Sequence, residues 1–362
     1  MMKKFDLFKL INKSYEPIAV FNKDNVLKKI NNWNKYLSNI TPYYAMKSLN
    51  NKYMINELMK NNFHFDIASK GELYQLMSLK YPINKTILAN PCRSIEDINI
   101  SIKFGVPYIV CDDINSVNYI KNMKKRVKIV WRIKSYENNS LVKFNSKFGA
   151  SISDTIKVIS KENNLIDGLS FHVGSGCSDM GSFSNTLDII KNEILPYWYG
   201  NCKLIDIGGG MKNIEDIKNL SNIIKPYIMD DCMKDMKWIA EPGRYFSCDS
   251  IDLYTKIIKV KYVDNHYHVY INDSIYNSFS GKMFDHQIHY PITVYSLFKN
   301  KELVKATIWG NTCDGLDMII DNIFIDKPYV GNILRWCNMG SYSVVSASES
   351  FNGFRKATMI AI

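Results

Sequence analysis

Lys47 follows the run Tyr43-Tyr44-Ala45-Met46, so its ammonium stands at the C-terminal end of a strand-forming stretch. A charge is seldom left at such a place without a partner, although a single lysine there could also reach solvent along its own stem. Three more segments bear on its use. "DIGGGM" sets Gly208, Gly209 and Gly210 between a strand and the next helix, where glycines let backbone N–H groups converge on an anion. "EPGRY" offers Gly243 and Arg244 to complete a phosphate site, and Glu241 to hold a proton on a ring nitrogen. "SFHVGSGC" brings His172, whose imidazole can lie flat against a planar group. Asp66 and Arg132 close two further strands. A lysine, a phosphate cradle, a carboxylate and a flat imidazole together describe a site for pyridoxal 5'-phosphate. The lysine bonds the aldehyde, the glycines hold the phosphate, and the carboxylate keeps the ring an electron sink.

These residues converge only if their elements do. From residue 41 onward, eight β-rich runs alternate with polar, helix-period stretches. The runs are "PYYAMK", "FHFDIA", "KTILAN", "YIVCDD", "VKIVWRIK", "IDGLSFHV", "CKLIDIGGG" and "KWIAEPG". Between them, "NKYMINELMKN" and "SIEDINISIKF" repeat apolar residues three and four apart. Eight βα units over about 200 residues predict a closed (β/α)₈ TIM-like barrel, with chemistry at the C-terminal ends of its strands. Past residue 246 the period changes to two, as in "IDLYTKIIKVKYVDNHYHVYIN" and again in residues 331–348, which predicts an all-β domain of antiparallel strands. The expected organisation is 1–20 as a strand segment joining that β domain through "PIAVF", 21–245 as the barrel, and 246–362 as a C-terminal β-sandwich.

Composition bounds the class. Hydrophobic residues form 46% of the 362, ample for a packed interior. No apolar run approaches a membrane span, and Asp6, Lys9 and Asn12 interrupt any signal-peptide core. The eight cysteines form no C-x-x-C pair, which suits a reducing compartment, and no metal site is implied. A soluble, cytoplasmic protein is expected, with no membrane partner. The net charge of +11 is dispersed, with one short cluster at "KKRVK" (124–128), so nucleic acid is not an expected partner.

Ten ordered motifs then carry a family resemblance: "PYYAMK", "FDIASKGEL", "SKFGA", "SFHVGSGC", "DIGGG", "EPGRY", "FDH", "WGNTCDGLD", "MGSYSV" and "FNGF". From about residue 15 to the end, the chain resembles the barrel-fold pyridoxal phosphate decarboxylases that act on ornithine, arginine and diaminopimelate, and most of all their eukaryotic-type, ornithine-directed branch. The resemblance implies the type III, alanine racemase-like architecture and a homodimer with shared active sites. It implies that Cys313 returns a proton to the α-carbon in the partner's site and that Asp314 meets the distal amine of a basic amino acid. By the same resemblance Asp285 of "FDH" binds that amine, Tyr342 and Ser175 reach the phosphate, and Lys147 and Asp317 form a salt bridge across the dimer. Asn311 departs from the proline usual before "CDGLD", and one extra residue separates "SYSV" from "FNGF".

The expected reaction is decarboxylation of L-ornithine to putrescine, a polyamine precursor. Relatives directed at arginine carry Glu at the "FDH" position, where this chain has Asp. Lysine and arginine remain alternative substrates. A catalytically inactive regulatory homologue is an alternative of another class, and a racemase would need a tyrosine base where this chain has "CDGLD".

Overall fold

The computed structural model describes residues 4–123, 127–137, 139–161, 165–198, 202–296, 302–348 and 351–362; residues 124–126 of the basic "KKRVK" cluster lie outside them. The chain forms two compact units. One comprises Lys29–Lys47 and Leu58–Tyr245, the other the residues up to Lys28, Ser48–Glu57 and Phe246–Ile362. Ser48–Glu57 thus groups with the second unit, whereas the sequence reading kept it within 21–245.

Strand β1 (Ile18–Phe21) belongs to the second unit, and the next eight strands build the first. They are β2 (Ile40–Ala45), β3 (His64–Ile67), β4 (Thr86–Leu88), β5 (Tyr108–Cys111), β6 (Lys128–Arg132), β7 (Gly168–Ser170), β8 (Leu204–Asp206) and β9 (Lys237–Ala240). They close in chain order into a barrel, sealed where Ile40 and Thr41 pair in parallel with Trp238 and Ile239. Each expected run supplies one strand, trimmed at one or both ends, except that β2 begins ahead of its run, at Ile40. Alternate side chains point inward, and Tyr43, Ile87, Val110, Val130, Leu204 and Ile239 fill the interior. Several helices after the strands start on a side-chain cap. Ser94 and Asp97 form a reciprocal capping box on Ile95–Phe104, and Asp113 and Asn213 cap Ile114–Lys121 and Ile214–Ile228.

In the second unit, β1 pairs antiparallel with β10 (Ile251–Val263) and parallel with β16 (Thr358–Ala361). The remaining strands are β11 (His266–Ile271), β12 (Pro291–Tyr295), β13 (Leu303–Trp309), β14 (Met318–Asp326) and β15 (Ile333–Trp336). They run in the order β12-β15-β10-β11-β13-β14. Asp264 and Asn265, both at positive φ, make the tight turn of the β10–β11 hairpin. The barrel and the all-β domain are both as expected, with three differences. A helix, α1 (Lys4–Lys13), precedes β1, and its Leu7 and Ile11 pack with Ile18, Val20, Tyr254 and Ile333. β11 and β13 run parallel, not antiparallel. Residues 331–348 yield only β15 and then leave the sheet, because Gly340 passes so close to the Ser247 carbonyl that a Cβ would lie 1.7 Å from its oxygen.

Ile87 is fully buried in the barrel interior. Ile87→Ala is expected to destabilise the protein by ~2–5 kcal/mol, because the methyl groups removed leave a cavity the strands cannot collapse into. A urea midpoint unchanged from wild type would show that this layer is not packed.

Candidate active site

The barrel strands deliver their polar residues to one end. Asp66 is the last residue but one of β3, Arg132 ends β6, and Ser170 and Asp206 stand opposite each other on β7 and β8. Glu241 directly follows β9, and its N–H donates to the Gly208 carbonyl at 2.7 Å. Lys47 sits one residue into a short turn, Met46–Ser48, beyond β2. Its side chain is exposed, so the strand end does not bury the ammonium.

Burial governs the charge states here. It pushes Asp66 well above the usual carboxylate range, Glu241 adds to this, and Lys47 and Arg132 oppose it. Glu241 is pushed well up by burial and by Asp206, with which its carboxyl hydrogen-bonds. Asp206 is raised by burial to about 6, held back by that bond and by the Gly208 N–H at 2.9 Å. His172 is buried and driven well below its ordinary value by burial and by the Arg132 and Lys47 charges, so its imidazole is neutral. Its Nδ1 accepts the Gly174 N–H at 3.1 Å, and Phe144 meets the ring edge-on at 4.8 Å. Arg132 lies over the Phe148 ring at 4.8 Å.

The glycine turn admits no larger residue. A Cβ on Gly208, whose φ is +64°, would lie 2.3 Å from the Phe171 carbonyl oxygen. One on Gly209 would lie 2.7 Å from the Glu241 oxygen, and one on Gly210, at φ +114°, 2.9 Å from that of Gly174. Arg244 Nη2 donates to Ser175 Oγ at 2.9 Å, joining two of the segments assigned to phosphate, and Gly243 precedes Arg244 in the chain.

The remaining candidates belong to the all-β unit. Asp285 is 6% exposed and follows the helical turn Gly281–Phe284; its Oδ2 accepts Gln287 Nε2 at 2.5 Å. Tyr342 holds a left-handed conformation, φ +51°, strained for a bulky side chain. Cys313 is exposed, and its N–H donates to Asn352 Oδ1 at 3.0 Å. The Leu316 N–H and then the Tyr276 hydroxyl donate to Asp314 and hold its carboxyl below the usual range. Asp317 is buried, with its carboxylate engaged inside its own chain, and Lys147 of the barrel is exposed.

Residues 23–248 match the family described as pyridoxal-dependent decarboxylase, pyridoxal binding domain. The chain belongs to the pyridoxal-dependent decarboxylases. It is 30% identical over 357 residues to the ornithine decarboxylase of Mus musculus, covering 92% of this chain and 77% of that one. It is 30% identical over 358 residues to antizyme inhibitor 2 of Xenopus laevis, covering 92% and 78%. In fold it is similar to the arginine decarboxylase of Paramecium bursaria Chlorella virus, with a TM-score of 0.91 at 24% identity over 99% of both chains.

The site of this decarboxylase fits its family's cofactor. Glu241 Oε1 is buried with no hydrogen-bond partner among the described residues, as an oxygen awaiting a ring N–H would be. The glycine turn leaves backbone where side chains would block an approach. Sequence reasoning missed four contributors that touch other site residues: Asp206, Tyr276, Gln287 and Asn352. Asp206 stands inside a quoted motif, Asn352 inside another, and Gln287 directly after "FDH", so these three had a signal; Tyr276 had none at short range. No helix among the described residues is long and apolar enough to cross a membrane.

Asp206 sets a pH dependence. Its folded value, about 6, lies above the ordinary carboxylate value of 3.8. The folded state therefore keeps a proton that the unfolded chain releases, and the stability this contributes is present below about 4 and lost as pH rises through about 6. Melting temperatures of cofactor-free protein should fall across that window, and Asp206→Asn, permanently neutral, should flatten the fall. Equal slopes in the two proteins would refute the assignment.

Proposed function

We propose that this chain decarboxylates L-ornithine to putrescine and CO₂, as a homodimer whose two sites each draw residues from both copies. The supporting observation is the carboxylate at Asp285. It is short and buried, and Gln287 fixes one of its oxygens. That suits a compact ammonium, whereas a planar guanidinium favours a bidentate partner set further back. The ornithine decarboxylases among its relatives agree with this reading.

In this reading, residues 21–245 form the cofactor-binding barrel, 1–20 belong with the β domain, and 246–362 form that domain. Lys47 would hold pyridoxal phosphate through its side-chain amine. The N–H groups of Gly208–Gly210, with Gly243, Arg244, Ser175 and Tyr342, bind the phosphate. Neutral His172 lies against the ring, and Asp66 and Arg132 complete the charge balance around it. Glu241 keeps a proton on the ring nitrogen. Pyridoxal phosphate held there would supply the electron sink that lets the α-carboxylate leave as CO₂. Cys313 of the second copy returns a proton to the α-carbon, and Asp314 of that copy, with Asp285, holds the distal ammonium. Antizyme inhibitor 2 is a relative of equal identity, which gives a binding-protein reading some support; Lys47, Cys313 and Glu241, all present, favour the enzyme.

Two experiments test this. Release of CO₂ from a panel of basic amino acids should favour ornithine over lysine by roughly 10- to 200-fold, since one extra methylene must fit. A higher kcat/KM on arginine would sink the ornithine reading, and no release from any of them would favour the binding protein. In the second, Lys47→Ala and Cys313→Ala chains, each inactive alone, are mixed. Random exchange gives half the dimers one intact shared site each, so activity should recover to roughly a quarter of wild type. No recovery after proven exchange rules out shared sites.

A further inference from the structure

Asp317 has two oxygens and uses both within its own chain. Its Oδ1 accepts the Ile275 N–H at 3.0 Å. Its Oδ2 accepts the Thr312 N–H at 3.0 Å and the Thr312 hydroxyl at 2.6 Å. Its backbone closes the same loop, since its carbonyl accepts the Gly310 N–H at 2.8 Å and its N–H donates to the Asp314 carbonyl at 3.1 Å. The side chain is 2% exposed. Gly310 is required beside it, because a Cβ there would lie 2.2 Å from a carboxylate oxygen.

The loop so closed carries Cys313 and Asp314. The segment that Asp317 grips through Ile275 carries Tyr276, whose hydroxyl donates to Asp314. That segment is itself a tight turn, with Asp273 Oδ1 accepting the N–H groups of Ser274 at 2.7 Å and Ser278 at 3.0 Å. A second backbone stitch, Asn311 N–H to the Asp273 carbonyl at 3.2 Å, joins the two segments. A buried carboxylate that accepts several N–H and O–H groups is a fixed point, because losing it strands donors that water cannot reach.

We propose that Asp317 is a positioning residue for the reaction: it clamps the 310–317 loop to the 273–278 turn and thereby aims Cys313 and Asp314. This inference rests on the roles given above to Cys313 and Asp314.

The test uses the holoenzyme and Asp317→Asn. The amide keeps the size of the carboxylate but turns one acceptor into a donor. Whichever way it faces, at least one backbone N–H then meets another donor. Cofactor absorbance and assembled mass should stay as in wild type. The rate at which iodoacetamide alkylates Cys313, followed by peptide mass, should change, and kcat/KM on ornithine should fall ~10- to 100-fold, as small misplacements near reacting atoms do. Thr312→Val removes only the hydroxyl donor and should move both readouts in the same direction by a smaller factor, about 2- to 10-fold. Wild-type alkylation of Cys313 in Asp317→Asn overturns the proposal. So does dissociation to monomers in Asp317→Asn while Thr312→Val behaves as wild type, the result expected of an interface salt bridge. If Asp317→Asn does not fold, Thr312→Val decides: altered alkylation supports the clamp and wild-type alkylation overturns it. Should the chain release CO₂ from no basic amino acid, the functional reading fails, yet the alkylation rates still decide the clamp.

Discussion

Three carboxyl groups, Asp66, Asp206 and Glu241, are buried at one end of the barrel, and everything else in that unit's site answers to them. Like charges in a low-dielectric interior cannot all ionise, so burial drives each toward its protonated form. Lys47 and Arg132 are the cations that oppose this, and Ser170 and the Gly208 N–H supply donors to Asp206. Closing eight strands into a barrel forces their C-terminal ends together, which is how residues from distant segments come to share one dielectric environment. Such a cluster is complementary to a flat cation with one hydrogen-bond donor, because a ring that brings a positive charge relieves the repulsion and fills the vacant lone pair of Glu241 Oε1. The low basicity of His172 fits the same logic. A charged imidazole beside Arg132 and Lys47 would add repulsion, whereas a neutral one presents only its face.

The glycine turn after β8 serves that cluster as well as an anion. The Gly208 carbonyl receives the Glu241 N–H, so the same backbone that bares N–H groups also sets the carboxylate. Gly208 and Gly210, both at positive φ, pass the Phe171 and Gly174 carbonyls, while Gly209 passes the Glu241 carbonyl after β9. A side chain at any of the three would collide with one of these carbonyls.

The barrel was legible because its signals are local and repetitive. Each strand run is short and apolar, and it is bounded by a polar helix-period stretch. The cofactor residues follow from it, since they stand at predictable strand ends. Two of the missed contacts span long separations. Tyr276 reaches Asp314 over 38 residues, and Asn352 reaches Cys313 over 39, with no periodicity to reveal either. Helix α1 was overlooked because Asp6, Lys9 and Asn12 broke a run being read for apolar continuity, although Leu7 and Ile11 are one helical turn apart and face the same core. Residues 339–348 alternate like a strand but cannot be one, because Gly340 must pass the Ser247 carbonyl and Tyr342 turns left-handed. Asp317 accepts four hydrogen bonds within its own chain, from the Ile275, Thr312 and Gly310 N–H groups and the Thr312 hydroxyl, none of which its charge alone announced.

Charge explains why the substrate's end of the reaction needs such local devices. The chain carries a net +11, which draws an anionic cofactor phosphate but repels a diamino acid whose distal group is an ammonium. At physiological ionic strength that repulsion is screened beyond about 8 Å, so selection of the cation falls to carboxylates within contact range. A carboxylate selects well only if it is held still, because a mobile one loses in ordering what it gains in attraction. Gln287 on Asp285 and Tyr276 on Asp314 do that holding. The Leu316 N–H and the Tyr276 hydroxyl also hold the Asp314 carboxyl below the usual carboxylate range. The Gln287 amide and the Tyr276 hydroxyl are neutral donors, so they order Asp285 and Asp314 without cancelling their charge as a cationic partner would.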